Sequence, residues 1–266
     1  MAADLSPHEI DAEQEMEALL DAGGTPPVEE DPFVVDDRRL APDRIIELLA
    51  PFMTERRRAR IREVVAQRTR TVVPVVEGLV NTGNVSAVMR STEALGYQDL
   101  HVVKGDNERY KHSKRTAQGA QHWLDVWRWP APGACVDHLH DRGYRVLTMD
   151  LHPEARPVDA FDFTERTALV FGNEDGGVSD AFRAAADGTC IIPLDGFTES
   201  FNVSVAAAIA LYHARQDRLQ RQGAHADLSE AAQTRLVARF YRRSVGNATE
   251  ILRRRLRDDA ASRAGD

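Results

Sequence analysis

The stretch IIPLDGFTESFNVSVAAAIALY, residues 191–212, joins an apolar strand pattern to a small-residue helix through a polar knuckle that holds Thr198, Glu199, Ser200 and Asn202 together. A strand-to-helix corner requires one N-capping side chain, whose oxygen satisfies a free backbone N–H of the first turn. Asn202 or Ser200 fills that role. A single cap cannot employ both of them and Ser204 as well, so the corner carries more polar chemistry than turning the chain demands.

Working outward from this stretch, short β-branched runs alternate with helical patterns. TVVPVVEGL (71–79), LHVV (100–103), YRVLTM (144–149), TALVFG (167–172) and TCIIPL (189–194) read as strands. Helices are expected over 85–95, 135–142, 179–186 and from Val203 to about Arg221. Such alternation predicts an α/β fold: a mostly parallel sheet flanked by helices. In open sheets of this kind ligands bind beyond the carboxyl ends of the strands.

Two further polar knots stand at such ends. NTGNVSAVMRSTEALG (81–96) opens the helix after the first strand; Asn84 or Ser86 caps it, which leaves Arg90 to be either a plain surface arginine or a site residue. LVFGNEDGGVSD (169–180) places glycine at 172, 176 and 177, so that backbone can approach a ligand closely, with Ser179 or Asp180 as the next cap. It has neither the GK[ST] ending of a P-loop nor a GxGxxG fingerprint. Glu174 in this loop is either an exposed turn residue or a site residue.

Charge is unevenly spread. The net charge is -8 over 266 residues, yet residues 1–50 hold fourteen Asp and Glu against three Arg. Directly after that acidic front comes FMTERRRARIREVVAQRTR (52–70), with seven arginines and two glutamates. A solvated helix face and a phosphate-binding surface are both consistent with the run, so a sequence pI of 5.6 does not exclude a nucleic-acid partner. The acidic front reads as a flexible extension, with a short helix over 6–20, a Gly and Pro linker and a weak helical stretch over 43–49. Residues 51–225 form the main domain, and 226–266 read as a helical extension.

Cys135 and Cys190 are far apart and lack metal-ligand spacing. The nine histidines, HLH at 138–140 included, read as surface or core residues, so no metal is expected. No run is long and apolar enough for a membrane span, and the first twenty residues have no secretory pattern; a cytoplasmic protein is expected.

Together the three knots resemble motifs 1, 2 and 3 of the SpoU/TrmH class of S-adenosylmethionine-dependent RNA 2'-O-ribose methyltransferases. Their order and intervals match, and the likeness runs from about Glu55 to Ala248. Within the class it is greatest to the enzymes that methylate guanosine 18 in the tRNA D-loop. RRRARIREVVAQR (56–68), KRTAQGAQHWLDV (114–126) and LSEAAQTRLVARFY (228–241) carry that finer likeness. The acidic front, and Gly83 where the tRNA enzymes often carry histidine, depart from the pattern.

The resemblance implies a deep carboxyl-terminal trefoil knot, a rare exception to unthreaded topology. It also implies a homodimer, S-adenosyl-L-methionine as cofactor and tRNA as partner. Asp150, Gly172, Ile192, Leu194, Gly196 and Phe201 would shape the cofactor slot. Arg90 would be the central catalytic residue, with Asn84, Glu174, Ser200 and Asn202 around it. Family analogy casts Arg90 as a base, but a guanidinium is a poor proton acceptor, so a transiently neutral arginine and a charged phosphate clamp both remain open. Arg56, Arg57, Arg58, Arg60 and Arg62 would hold tRNA phosphates, and arginines 253–255 would extend that surface. A ribosomal RNA methyltransferase and a non-catalytic RNA-binding protein on the same fold are the alternatives.

Overall fold

The computed structural model describes residues 33–36, 38–78, 82–104, 119–173 and 176–264. These fall into two compact units, one made of residues 70–225 and the other of the described parts of 28–69 and 226–266. The expected helix over 6–20, the linker after it and Glu174 lie outside the described residues.

The larger unit is built on a seven-stranded sheet. In chain order its strands are β1 (Val72–Glu77), β2 (Asp99–Val103), β3 (Asp125–Trp129), β4 (Arg145–Met149), β5 (Arg156–Pro157), β6 (Thr167–Phe171) and β7 (Gly188–Ile191). The spatial order is β3-β2-β1-β6-β4-β7-β5, and every pairing is parallel. Its helices are α1 (Thr82–Ala94), α2 (Pro132–Asp141), α3 (Asp180–Ala185) and α4 (Val203–Gln222).

Side-chain alternation along β1 divides the core. Val72 and Val76 join Val85, Val88, Ala207 and Leu211 of α1 and α4 on one face, whereas Val73 and Val75 join Cys135, Leu139 and Phe182 of α2 and α3 on the other. Each fully buried aliphatic or aromatic side chain here contributes roughly 1.5–3 kcal/mol. Helices on both faces explain why β1, β2 and β6 are buried throughout.

Pro74 in this central strand looks out of place, because proline donates no ladder hydrogen bond. It precedes Val75, the first β1 residue registered with β2, and lies where β1 pairs with β6.

The sequence reading located four helices to within three residues at either end but missed β3, whose DVWRW mixes charge and tryptophan instead of forming an aliphatic run. The charged residues of β3 have local partners: Arg70 bridges Asp99 and Asp125 on adjacent strands.

The smaller unit draws on both ends of the chain. A two-residue hairpin (Val34–Val35 with Arg38–Arg39) precedes helices Pro42–Leu49 and Glu55–Val65, and helices Glu230–Ser244 and Ala248–Ala264 complete it. Phe33, Ile45, Leu49, Ile61, Leu236, Phe240 and Leu252 are buried in it. The weak helical stretch expected over 43–49 is the helix Pro42–Leu49, whose Ile45, Leu48 and Leu49 are buried, so this part of the acidic front has a packed face. Thr54 and Ser229 cap their helices by accepting from Arg57 N and Ala232 N.

Candidate active site

Strand register sets the site. Val76 of β1 pairs with Phe171 of β6, Phe171 pairs with Met149 of β4, and Met149 pairs with Cys190 of β7. The segments that leave β1, β6, β4 and β7 therefore start in one row along the carboxyl edge of the sheet. The three polar knots of the sequence leave from β1, β6 and β7, and Asp150 follows β4 within the same row.

Beyond β6 the chain doubles back on itself. Asn173 and Gly177 exchange two backbone hydrogen bonds, 3.0 and 3.1 Å long, and Asn173 Oδ1 accepts from Gly176 N at 2.5 Å. A Cβ on Gly172 would stand 2.0 Å from the Gly177 carbonyl carbon and 2.3 Å from Val178 N, so only glycine fits. Gly177 has φ +66°, the left-handed region that glycine enters without penalty.

Asp150 stands beside this turn, its Oδ1 3.4 Å from the Cβ position of Gly177. Its Oδ1 accepts from Leu151 N at 2.9 Å and its Oδ2 from Arg183 Nε at 2.6 Å. The hydrogen bond to Asp150 is the main influence raising the Arg183 guanidinium above its usual range. Both carboxylate oxygens of Asp150 thus have partners, on its own segment and on α3. Behind it, burial pushes the Cys190 thiol up to about 12, consistent with a packing role.

The knuckle beyond β7 lies open. Ile192 packs against the core on the α1 and α4 face, and Leu194 is half-buried. Gly196 and Ser200 are exposed, as is Phe201 at 39%. Ile192, Leu194 and Phe201, with the backbone around Gly172 and Gly196, offer apolar surface and peptide groups in the combination that an adenosyl group requires.

Asn202 closes the knuckle. Its Oδ1 accepts from Ser204 N at 3.0 Å and from Ser204 Oγ at 2.6 Å, which caps α4. Its Nδ2 donates to Asn84 Oδ1 across a long 3.4 Å. One side chain therefore both caps α4 and reaches Asn84, and the cap takes in Ser204 while leaving Ser200 unused by it.

Arg90 is exposed on α1, one helical turn beyond Ser86 and two beyond Gly83. Among the described residues no hydrogen bond joins it to Asn84, Ser200 or Asn202. The structure thus unites Asn84 with Asn202 and places Arg90 on the same helix as Asn84. No group of His, Cys, Asp or Glu that could hold a metal ion occurs among the described residues.

Two site residues escaped the sequence reading. Arg183 sits in an unremarkable helix pattern and offered no signal. Glu77 did: it is the one charge in the otherwise apolar strand VVPVVE, and it is 6% exposed.

Five of the seven arginines of the basic run, Arg56, Arg57, Arg58, Arg60 and Arg62, lie on the helix Glu55–Val65, in the smaller unit. Arg58 pairs with Glu55, and Arg60 with Glu63 at 2.9 Å. Arg56, Arg57, Arg60 and Arg62 are exposed.

The SpoU rRNA Methylase family model matches residues 71–212. The tRNA (guanosine(18)-2'-O)-methyltransferase of Borreliella burgdorferi is 32% identical over 202 residues, 76% of this chain and 92% of its own. The crystal structure of the A. aeolicus TrmH/SpoU tRNA modifying enzyme aligns with a TM-score of 0.66 at 29% identity, covering 73% of this chain and 98% of that one. The SpoU methyltransferase AviRb from Streptomyces viridochromogenes, in complex with the cofactor AdoMet, aligns at 0.53 and 30% identity, covering 59% of this chain and 64% of that one. With more than half of its length matched, the chain belongs to the SpoU rRNA Methylase family.

Proposed function

We propose that the protein is an S-adenosylmethionine-dependent tRNA 2'-O-ribose methyltransferase that modifies guanosine 18 of the D-loop. One observation carries the chemistry: the glycine loop after β6, the segment at Asp150 and the knuckle after β7 leave the sheet in one row, and Asn202 at the knuckle's end reaches Asn84 on the Arg90 helix. The name and coverage of the Borreliella burgdorferi relative support the substrate assignment.

When bound, S-adenosylmethionine supplies a methyl group on a positively charged sulfur that is its own leaving group. Gly172, Gly196 and the backbone of 192–196 would hold its adenosine, and Ile192, Leu194 and Phe201 would cover its apolar surface. Asn84 and Asn202, tied together, would orient the ribose so that its 2'-oxygen lines up with that methyl group, and the hydroxyl proton would pass to water. Alignment of oxygen and methyl is the main catalytic task.

Arg90 acts as a charged clamp on the adjoining phosphate and polarises the 2'-hydroxyl, because a guanidinium gives up its proton too reluctantly to serve as a base. Ser200 and Glu174 are assigned to the same reaction by the likeness of their motifs, Glu174 lying outside the described residues. Arg56, Arg57, Arg58, Arg60 and Arg62 bind tRNA phosphates, which gives affinity without base reading. The knot, the homodimer and a cytoplasmic place of action belong to the same reading. Among the described residues no helix is long and apolar enough to cross a membrane.

The test is to incubate the protein with methyl-labelled S-adenosylmethionine and unmodified tRNA transcript, then map the labelled nucleotide. Label on the ribose of guanosine 18 is expected. Label on another tRNA ribose, or on ribosomal RNA alone, overturns the substrate assignment.

A further inference from the structure

Glu77 is the last residue of β1 and one of the few buried charges in the larger unit, at 6% exposure. Burying a carboxylate is costly unless hydrogen bonds compensate. Alternation along the strand puts it on the face of Val73 and Val75, toward α2 and α3.

Its Oε2 accepts the backbone N–H of Ser179 at 2.9 Å. Ser179 is the residue at which the glycine loop ends, and its hydroxyl caps α3 by accepting from Phe182 N. Only glycine fits at 172, so the loop has no slack at its start. The Glu77 bond fixes its finish. On its carboxyl side Glu77 is followed by Gly78, at φ +61°, where the chain turns into the segment leading to Asn84 and Arg90.

We infer that Glu77 is a positioning residue that ties the Gly172–Ser179 loop to the strand launching the Asn84–Arg90 helix. This rests on the reading that the loop borders the S-adenosylmethionine slot. A leucine at 77 would serve a purely packing role as well or better. The charged acceptor is what the Ser179 amide requires, and an anionic acceptor makes a stronger bond than a neutral one.

The test compares Glu77→Leu, which fills the same space without an acceptor, with Glu77→Gln, whose carbonyl still accepts. In calorimetric titration with S-adenosylmethionine, Glu77→Leu should bind about tenfold more weakly, a loss of about 1.4 kcal/mol. Glu77→Gln should recover most of that loss. In hydrogen exchange, the amide of Ser179 should exchange faster in Glu77→Leu and remain slow in Glu77→Gln. An unchanged Ser179 amide in a folded Glu77→Leu protein overturns the tie, as does a Glu77→Gln protein as weak as Glu77→Leu. Absence of S-adenosylmethionine binding by the wild-type protein counts against the proposed function instead, and the exchange measurement then decides the tie by itself.

Discussion

Asn202 and Asn84 meet through the half of the Asn202 amide that helix capping does not use: Nδ2 faces Asn84 Oδ1 at 3.4 Å, while Oδ1 holds the first turn of α4 through Ser204. Because one residue serves both purposes, two substitutions separate them. Asn202→Asp keeps the capping oxygen and loses the donor; Asn202→Ala loses both. Thermal melts should show Asn202→Ala destabilised by about 1 kcal/mol and Asn202→Asp within a few tenths of wild type. Methyl transfer should fall in both. Wild-type turnover in Asn202→Asp would confine the residue to capping.

Gly172 tests how closely the loop is built. Alanine there would place a methyl group 2.0 to 2.3 Å from the backbone of Gly177 and Val178, which cannot yield as a flexible side chain does. Overpacking and the displacement it forces should cost about 1–3 kcal/mol or more and abolish S-adenosylmethionine binding. Gly133 of α2, with nothing within 4 Å of its Cβ position, is the control: Gly133→Ala should melt at or above the wild-type temperature. A Gly172→Ala protein that melts and binds like wild type would contradict the close approach.

The apolar strands and helices α1 to α4 were legible because β-branched runs and helical spacing depend on neighbours within one segment. Edge strand β3 was not, since its tryptophans are satisfied by partners from β2 that local pattern does not reveal: Trp129 Nε1 donates to His101 Nδ1 at 3.0 Å, and Trp127 Nε1 to Asp99 Oδ1 at 2.9 Å. The contact between Asn84 and Asn202 was legible only in part, as a cluster of polar residues at two strand-to-helix corners of which Asn202 proves to be the cap. Asp150 was singled out by its place after a strand, but its carboxylate is bound to Arg183, a partner 33 residues away in sequence. Long-range pairing of that kind leaves no periodic trace.

Arg90 is exposed on α1, so its removal should leave the fold intact. Arg90→Ala should melt within about 0.5 kcal/mol of wild type and bind S-adenosylmethionine normally. Its turnover should fall about 100-fold or more, the usual cost of removing a group that stabilises the transition state. Arg90→Lys separates the two mechanisms: a point charge restores part of a clamp's work, whereas the planar fork is lost. Turnover by Arg90→Ala at the wild-type rate would remove the residue from the reaction.

His101 makes stability depend on pH. Burial first, then the nearby His138 and Arg142, lower its pKa from 6.5 to about 3, so it is neutral in the folded protein and accepts from Trp129. The unfolded chain binds a proton near pH 6.5 that the folded chain refuses. The associated stability is complete above about pH 6.5 and is lost as pH falls toward 3, at up to about 1.4 kcal/mol per pH unit. Denaturant melts at pH 7.5 and 5.0 should show wild type losing more stability than His101→Gln. Equal losses would mean that His101 does not control this window.

Salt dependence tests the arginine helix. Arg58 and Arg60 already face Glu55 and Glu63, whereas Arg56 and Arg62 are exposed and have no ion pair among the described residues. If tRNA phosphates bind here, replacing Arg56 and Arg62 with alanine should weaken tRNA binding and reduce the slope of log affinity against log salt by about 0.7–0.9 for each phosphate no longer neutralised. Glu55→Gln and Glu63→Gln should act oppositely, strengthening binding at low salt by freeing a guanidinium from an internal competitor. The effects should converge at high salt, where exposed charges are screened over about 3 Å at 1 M. If the slope is the same in all four variants, the helix is a solvated face and the phosphates are held by other elements.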